Sequence, residues 1–295
     1  MIRNNQCHRR TKLAGICLLI IVLTVLSLAN PSLSITGKMT LEELVSRHLE
    51  SIGTAKARAS VTSRIIAGNS LVHFRTPPPG QAAGKAVLFS EGTKNFIGMS
   101  FPSPVYPREQ LGFNGNSFIA AFVTPGVRSV LGNFLMTHTL VFKQGLMGGT
   151  LSTAWPLLDL ATRNPHLEYA GLKTVDNRTL HQLKYLARGG SDLQINLFFD
   201  QVTFQHARTE YERVIAAPTG DRAYTSIEER EIRYKMVEEF SDFKNEAGLT
   251  LPHIYKIKLL VDSKGGTFLA DWELTLTSFT FNERIDPNSF TIGAS

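Results

Sequence analysis

Residues 255–277 read YKIKLLVDSKGGTFLADWELTLT, and their alternation decides the fold. Tyr255, Ile257, Leu259 and Val261 fall on one face, against Lys256 and Lys258 on the other. After Gly265-Gly266, Trp272, Leu274 and Leu276 oppose Glu273, Thr275 and Thr277. A period of two with one apolar and one polar face is the pattern of antiparallel strands wetted on one side. A glycine pair between two such runs makes them a hairpin. The same alternation recurs upstream. Leu193, Ile195, Leu197 and Phe199 oppose Asp192, Gln194 and Asn196, and Ile232, Tyr234, Met236 and Phe240 alternate with Glu231, Arg233, Lys235 and Glu239. Turns at Asp176-Asn177, Gly189-Gly190 and Glu246-Ala247-Gly248 join the runs into a meander. Closer to the N-terminus, β-type segments at 59–75, 85–89, 95–100 and 117–123 are parted by turns such as Pro77-Pro78-Pro79-Gly80. A helix precedes them. Thr40 caps it, Glu43 completes a capping box, Leu41, Leu44, Val45, Leu49 and Ile52 form its apolar stripe, and Gly53 ends it.

The middle of the chain breaks this rhythm. From Thr124 it reads TPGVRSVLGNFLMTHTLVFKQGLMGGTLSTAWPLLDLA. Pro125 suits a first helical turn, and Val127, Val130, Leu131, Phe134 and Leu135 recur at helical spacing. Gly145, Gly148 and Gly149 form a joint, after which Ser152-Thr153 is expected to cap a second helix carrying Trp155, Leu157, Leu158 and Leu160. The expected fold is mainly β (α+β): one antiparallel sheet with an N-terminal helix and a central helical lid or plug at about 125–160.

Composition and charge bound the function. The chain has 295 residues, 43% hydrophobic and 19% charged, which excludes disorder and a polytopic membrane protein. Its net charge of +6 is concentrated at the start, where Arg3, Arg9, Arg10 and Lys12 precede an apolar run from Leu13 to Ala29. The remainder carries 27 basic against 25 acidic residues, so nothing electrostatic points to nucleic acid. A basic stretch, an apolar run and then small residues are the layout of a secretory signal, assigned to residues 1–34. An uncleaved inner-membrane anchor is the competing reading, because the run is long for a signal core, although it is short of the ~20 residues that span a bilayer. Either way the body, 35–295, is expected in the periplasm or envelope as a single domain. Both cysteines, Cys7 and Cys17, fall in the export segment, so the body has neither thiol nor disulfide. Leu13-Ala14-Gly15 looks like the start of a lipoprotein box, but Ile16 stands where the cysteine belongs.

The order of elements, together with local phrases, resembles a known family. Leu167-Glu168-Tyr169-Ala170-Gly171 leading to Val175-Asp176-Asn177-Arg178, and Phe198-Phe199-Asp200 followed by Thr209-Glu210-Tyr211, have its flavour. So does Phe240-Ser241-Asp242-Phe243-Lys244 leading to Gly248-Leu249-Thr250-Leu251-Pro252-His253. Over residues 36–295 the chain resembles the lipoprotein-localisation factors LolA and LolB and the related lipoprotein-sorting and RseB-type sensor domains. The resemblance implies a strongly curved, unclosed half-barrel of eleven strands whose concave face is plugged by helices. Arg64 and Arg128 are the two candidates for the family's lid-locking arginine.

Catalytic motifs fail on inspection. Ser241-Asp242-Phe243-Lys244 matches S-x-x-K but follows an alternating strand, where a surface hairpin is expected instead of the helix start that the motif needs. Gly80 to Lys85 is one residue short of a phosphate loop and reads as a Pro-Gly turn. The eight histidines show no metal-binding spacing, and His181 reads as a packed residue. Glu228, Glu229 and Glu231 with Arg230 and Arg233 read as a solvated hairpin end. No catalytic residue, metal or cofactor is expected, and the protein is not read as an enzyme.

The constellation that remains is apolar. Val130, Leu131, Phe134, Leu135 and Trp155 of the middle segment would face Leu183, Tyr185, Phe199, Tyr234 and Trp272 of the strands. Such a set makes either a closed core or a hydrophobic pocket under a lid. The leading expectation is a monomeric binding or carrier protein for a lipid or lipoprotein acyl chains, with envelope membrane proteins as further partners. The alternative is a protein-interaction or stress-sensor module of the same fold, and an envelope hydrolase comes third.

Overall fold

The computed structural model describes residues 39–76, 78–216 and 231–293. The segment read as an export signal and residues 228–230 of the acidic cluster lie outside them. Twelve strands follow one another as β1 (Ser63–Phe74), β2 (Gly80–Glu91), β3 (Lys94–Ser100), β4 (Arg108–Phe113), β5 (Phe118–Ala120), β6 (His166–Val175), β7 (Arg178–Leu186), β8 (Gln194–Asp200), β9 (His206–Ile215), β10 (Ile232–Glu246), β11 (Leu249–Ser263) and β12 (Gly266–Phe281). They form one antiparallel, unclosed sheet in the order β5-β4-β3-β2-β1-β12-β11-β10-β9-β8-β7-β6. The resemblance implied eleven strands, and the described residues form twelve.

This order dictates what the middle segment must do. Each run of strands is a meander of hairpins, and β1 pairs with β12 to join the two runs. The two free edges, β5 and β6, are therefore consecutive in sequence. The chain between them has to travel from one edge of the sheet to the other. It does so across the concave side, through α3 (Val130–Thr137), α4 (Leu140–Lys143), two 3₁₀ turns (Gly149–Leu151 and Pro156–Leu158) and α5 (Leu160–Arg163). The curvature can be read from contacts. In a flat sheet β3 and β10 would lie five spacings apart, about 24 Å. Yet the Gly148 amide donates to Glu238 of β10 at 2.7 Å, while a methyl group at Gly148 would meet Ile97 of β3 at 3.7 Å. The sheet therefore curls around the crossing segment, and one main hydrophobic core fills the space between them.

The N-terminal helix α1 (Leu41–Ile52) forms as its cap predicts, with the Glu43 amide donating to Thr40 Oγ1 at 3.1 Å. A second short helix, α2 (Ala55–Ala59), follows it, and the strand expected from residue 59 begins at Ser63. Other expectations are corrected. The helix read from Pro125 begins only at Val130, because Thr124 to Val127 closes a tight turn around Gly126, which has a φ of 75°. Ser129 is its cap, accepting from the Gly132 amide at 2.7 Å. The second helix, expected from Ser152-Thr153, breaks into 3₁₀ turns, since Pro156 supplies no N–H and the preceding glycines sit at positive φ. Asp159, not Ser152, caps the last short helix. Strand β4 carries its apolar residues between Pro102, Pro104, Pro107 and Gly115, which masked it in the sequence. Gly80 to Lys85 is no turn but the start of β2, paired along β1. Ser241 to Lys244 lies, as expected, on a surface hairpin, the exposed end of β10 that turns at Ala247-Gly248 into β11; a left-handed Asp242 interrupts the regular strand there and accepts from Lys244 at 2.7 Å.

Candidate functional site: the plugged concave face

Eight of the ten residues read as ligand-facing meet in the main core. Leu131, Phe134, Leu135, Trp155, Leu183, Tyr185, Phe199 and Trp272 are all buried there, and Tyr234 packs half-buried against it with its ring 6.2 Å from that of Phe134. Val130 stands apart, 36% exposed at the start of α3. The interior between plug and sheet is filled. Beside Leu88, Ile97, Met147 and Leu151 the void is about 10 Å³, room for one water at most. In this conformation the eight buried residues form a packed core.

Polar groups cross the seam between plug and sheet, and sequence reading missed most of them. Glu238 lies on the inner face of β10, fully buried, and accepts from Tyr211 Oη at 2.6 Å, Tyr255 Oη at 2.5 Å and the Gly148 amide at 2.7 Å. Burial pushes its pKa up to about 7, against the opposing pull of those three donors. His48 of α1, also fully buried, accepts from Trp155 Nε1 at 3.0 Å through Nε2. Its Nδ1 therefore carries the proton and donates to the Phe204 carbonyl at 3.0 Å. Burial lowers the His48 pKa to about 4, so the ring is neutral. His206 stacks on Trp155 at 4.4 Å, and burial likewise drives its pKa well down. The Thr153 amide donates to Ser90 Oγ at 2.9 Å, and Tyr185 Oη donates to Gln144 at 2.9 Å.

Arg64 is one of these clasps. Its guanidinium is buried, donates to the Thr150 carbonyl of the plug, and has no carboxylate within 4.0 Å among the described residues. Burial lowers its pKa to about 10, which leaves it charged at neutral pH. Arg128, the other candidate, does not reach the plug's 3₁₀ turns; it donates from Nε to the Ala120 carbonyl at 2.8 Å. His181 is the packed residue expected, sharing a 2.8 Å hydrogen bond with Tyr169.

The plug lies close to its surroundings where glycines allow it. Gly145 has a φ of 70°, and a methyl group there would meet the Ala154 carbonyl oxygen at 1.9 Å. At Gly149, with a φ of 50°, it would meet His206 Nδ1 at 2.6 Å.

A cavity mouth opens at the surface beside the start of α3. A cavity of about 270 Å³ is lined by Phe74, Tyr106, Val123, Val130, Phe268 and Trp272, with Val105, Arg128 and Ser129 at its margin. Beneath it Trp272 Nε1 donates to Tyr106 Oη at 2.9 Å, and Tyr106 Oη donates to Glu109 at 2.6 Å. Burial raises the Glu109 pKa to about 7, with Ser129 and Tyr106 pulling the other way. No group of three or more metal-ligating side chains occurs among the described residues, and no helix there is long and apolar enough to cross a membrane.

No protein-family model matches the chain, and no curated protein matches it. Solved structures are similar to the chain at low identity. A LolA superfamily protein from Nitrosomonas europaea shares 11% identity at a TM-score of 0.41, over 86% of this chain and 98% of that one. A domain named for outer membrane lipoprotein sorting, from Vibrio parahaemolyticus, shares 11% identity at 0.42, over 84% and 96%. MucB in its complex with MucA, from Pseudomonas aeruginosa, shares 10% identity at 0.22, over 81% and 99%.

Proposed function

We propose that the protein is an envelope binding or carrier protein for a hydrophobic ligand of the acyl-chain class, acting as one domain over residues 35–295 with residues 125–160 as its lid. The observation that carries the reading is the apolar mouth cavity, walled by Val130 of α3 and by Trp272 of the concave sheet. At about 270 Å³ it falls below the roughly 300–1,000 Å³ of ordinary ligand sites. A chain entering there gains the rest of its room only by moving α3 and the plug behind it. Val130, Leu131, Phe134, Leu135 and Trp155 would then exchange their contacts with Leu183, Tyr185, Phe199, Tyr234 and Trp272 for contacts with the ligand. Each buried methylene is worth about 0.8 kcal/mol, so a chain of ~14 carbons supplies enough to offset that displacement. No catalytic step belongs to this reading.

The test is titration with a fluorescent fatty-acyl probe, followed by hydrogen exchange of the complex. Saturable binding is expected, with faster exchange at Gly148 and Thr153 and little change in the sheet. Absence of binding up to the probe's solubility limit would overturn the proposal and leave the plug as a fixed core element.

A further inference from the structure

The mouth cavity carries a polar feature that an acyl-chain site alone does not require. Its lining is aromatic and aliphatic, and the polar atoms on it are already engaged. Tyr106 Oη is held between Trp272 and Glu109, and Ser129 Oγ caps α3. Arg128 is different. Nε donates to the Ala120 carbonyl at 2.8 Å, and the guanidinium lies 4.2 Å over the Phe122 ring. Those two contacts fix the plane of the group, and no carboxylate stands within 4.0 Å of it among the described residues. By contrast Arg47, Arg75, Arg178, Arg208, Arg213 and Arg233 are all paired with acids. A half-buried guanidinium held in this way, with its terminal N–H groups unspent among the described residues, is a preorganised receptor for two oxygens of one anion.

We infer that the mouth selects single-chain anionic amphiphiles, with the apolar tail entering past Val130 and Trp272 and the oxyanion head held at the rim by Arg128. This rests on the hydrophobic-ligand reading and names its ligand class. A carboxylate and a phosphate head offer the same paired oxygens, so both satisfy the geometry. A neutral alcohol offers one acceptor and no charge, and a quaternary ammonium head is repelled.

The experiment uses the mature protein and four chain-matched ligands below their micellar concentrations: myristate, tetradecyl phosphate, tetradecanol and tetradecyltrimethylammonium. Each displaces an uncharged fluorescent acyl probe. Expected is a preference of roughly tenfold or more for the anions over the alcohol, the size of one charge-assisted paired contact. Arg128→Gln should lower the anions to the level of the alcohol and leave the alcohol unchanged. Arg128→Lys, which keeps the charge and loses the planar fork, should retain only part of the preference. Arg108→Gln is the control, since it removes the same charge from a residue that donates to the neighbouring Phe122 carbonyl at 3.3 Å and does not line the cavity. Comparison of the two anions tells a carboxylate from a phosphate ligand. Binding of the alcohol with no anion preference overturns this inference and leaves the carrier reading standing. An equal loss in Arg108→Gln also overturns it, because the effect would then be bulk charge. Failure of all four to bind overturns both.

Discussion

Replacing Glu238 by glutamine should remove a pH-dependent term from the stability of the domain. The carboxyl is fully buried, and burial sets its folded pKa at about 7 against an ordinary 4.5 in the unfolded chain. A raised carboxyl pKa means that the folded protein holds the proton more tightly. The associated stability is therefore fully present below pH 4.5 and is lost as the pH rises through 7. Each tenfold change in proton affinity is worth 1.36 kcal/mol, so the loss across that window is about 3 kcal/mol. Glutamine keeps the size of the side chain and does not titrate. Urea unfolding of wild type and Glu238→Gln at pH 4.5 and pH 8.5 isolates the term, because Glu109, His48 and His206 titrate in both proteins. The wild type should lose about 3 kcal/mol relative to the variant between those pH values. Physically, raising the pH leaves a carboxylate in the core that Tyr211, Tyr255 and the Gly148 amide only partly compensate. A constant difference would refute the reasoning. A difference of the opposite sign would mean that the three donors outweigh burial and hold the group ionised.

The other predictions concern the plug and the export segment. Phe134→Ala and Trp155→Ala each truncate a side chain in a closed core and should cost about 3–5 kcal/mol in denaturant unfolding; a much smaller cost would mean that the plug is already loose in the unliganded protein. Gly145→Ala should destabilise by at least ~1–3 kcal/mol, the cost of a left-handed non-glycine residue, with the clash against the Ala154 carbonyl added; an unchanged melting temperature would show that the plug is not held in this conformation. Sequencing of protein recovered from the envelope should begin between Asn30 and Gly37, whereas an intact Met1 would convert the export signal into an anchor.

The strand alternation made most of the site legible, because burial on one face of a strand writes itself into every second residue. Leu183, Tyr185, Leu197, Phe199, Met236, Phe240 and Trp272 all point where their register put them. What stayed hidden were the polar residues in the same register. Glu238 shares the face of Met236 and Phe240, Glu109 shares that of Leu111 and Phe113, and His48 lies one helical turn from both Leu44 and Ile52. Each stands at an apolar position, and that is a signal the sequence does contain. Its meaning was out of reach because the partners are remote: Gly148 and Trp155 lie 90 and 107 residues from Glu238 and His48. The break-up of the second plug helix was hidden for the opposite reason, since its apolar spacing was helical and only Pro156 and the glycines spoke against it. The three out-of-pattern groups have something in common. Glu238 holds Gly148, His48 holds Trp155, and a methyl group on Gly132 would stand 3.3 Å from Glu109 Oε1, so all three face the segment that crosses from edge to edge. Burying such groups costs more than filling the same seam with leucines would. An apolar seam is indifferent to what apolar surface covers it, whereas hydrogen bonds return the plug to one position. That is the property a lid needs if an acyl chain is to displace it and then let it close again.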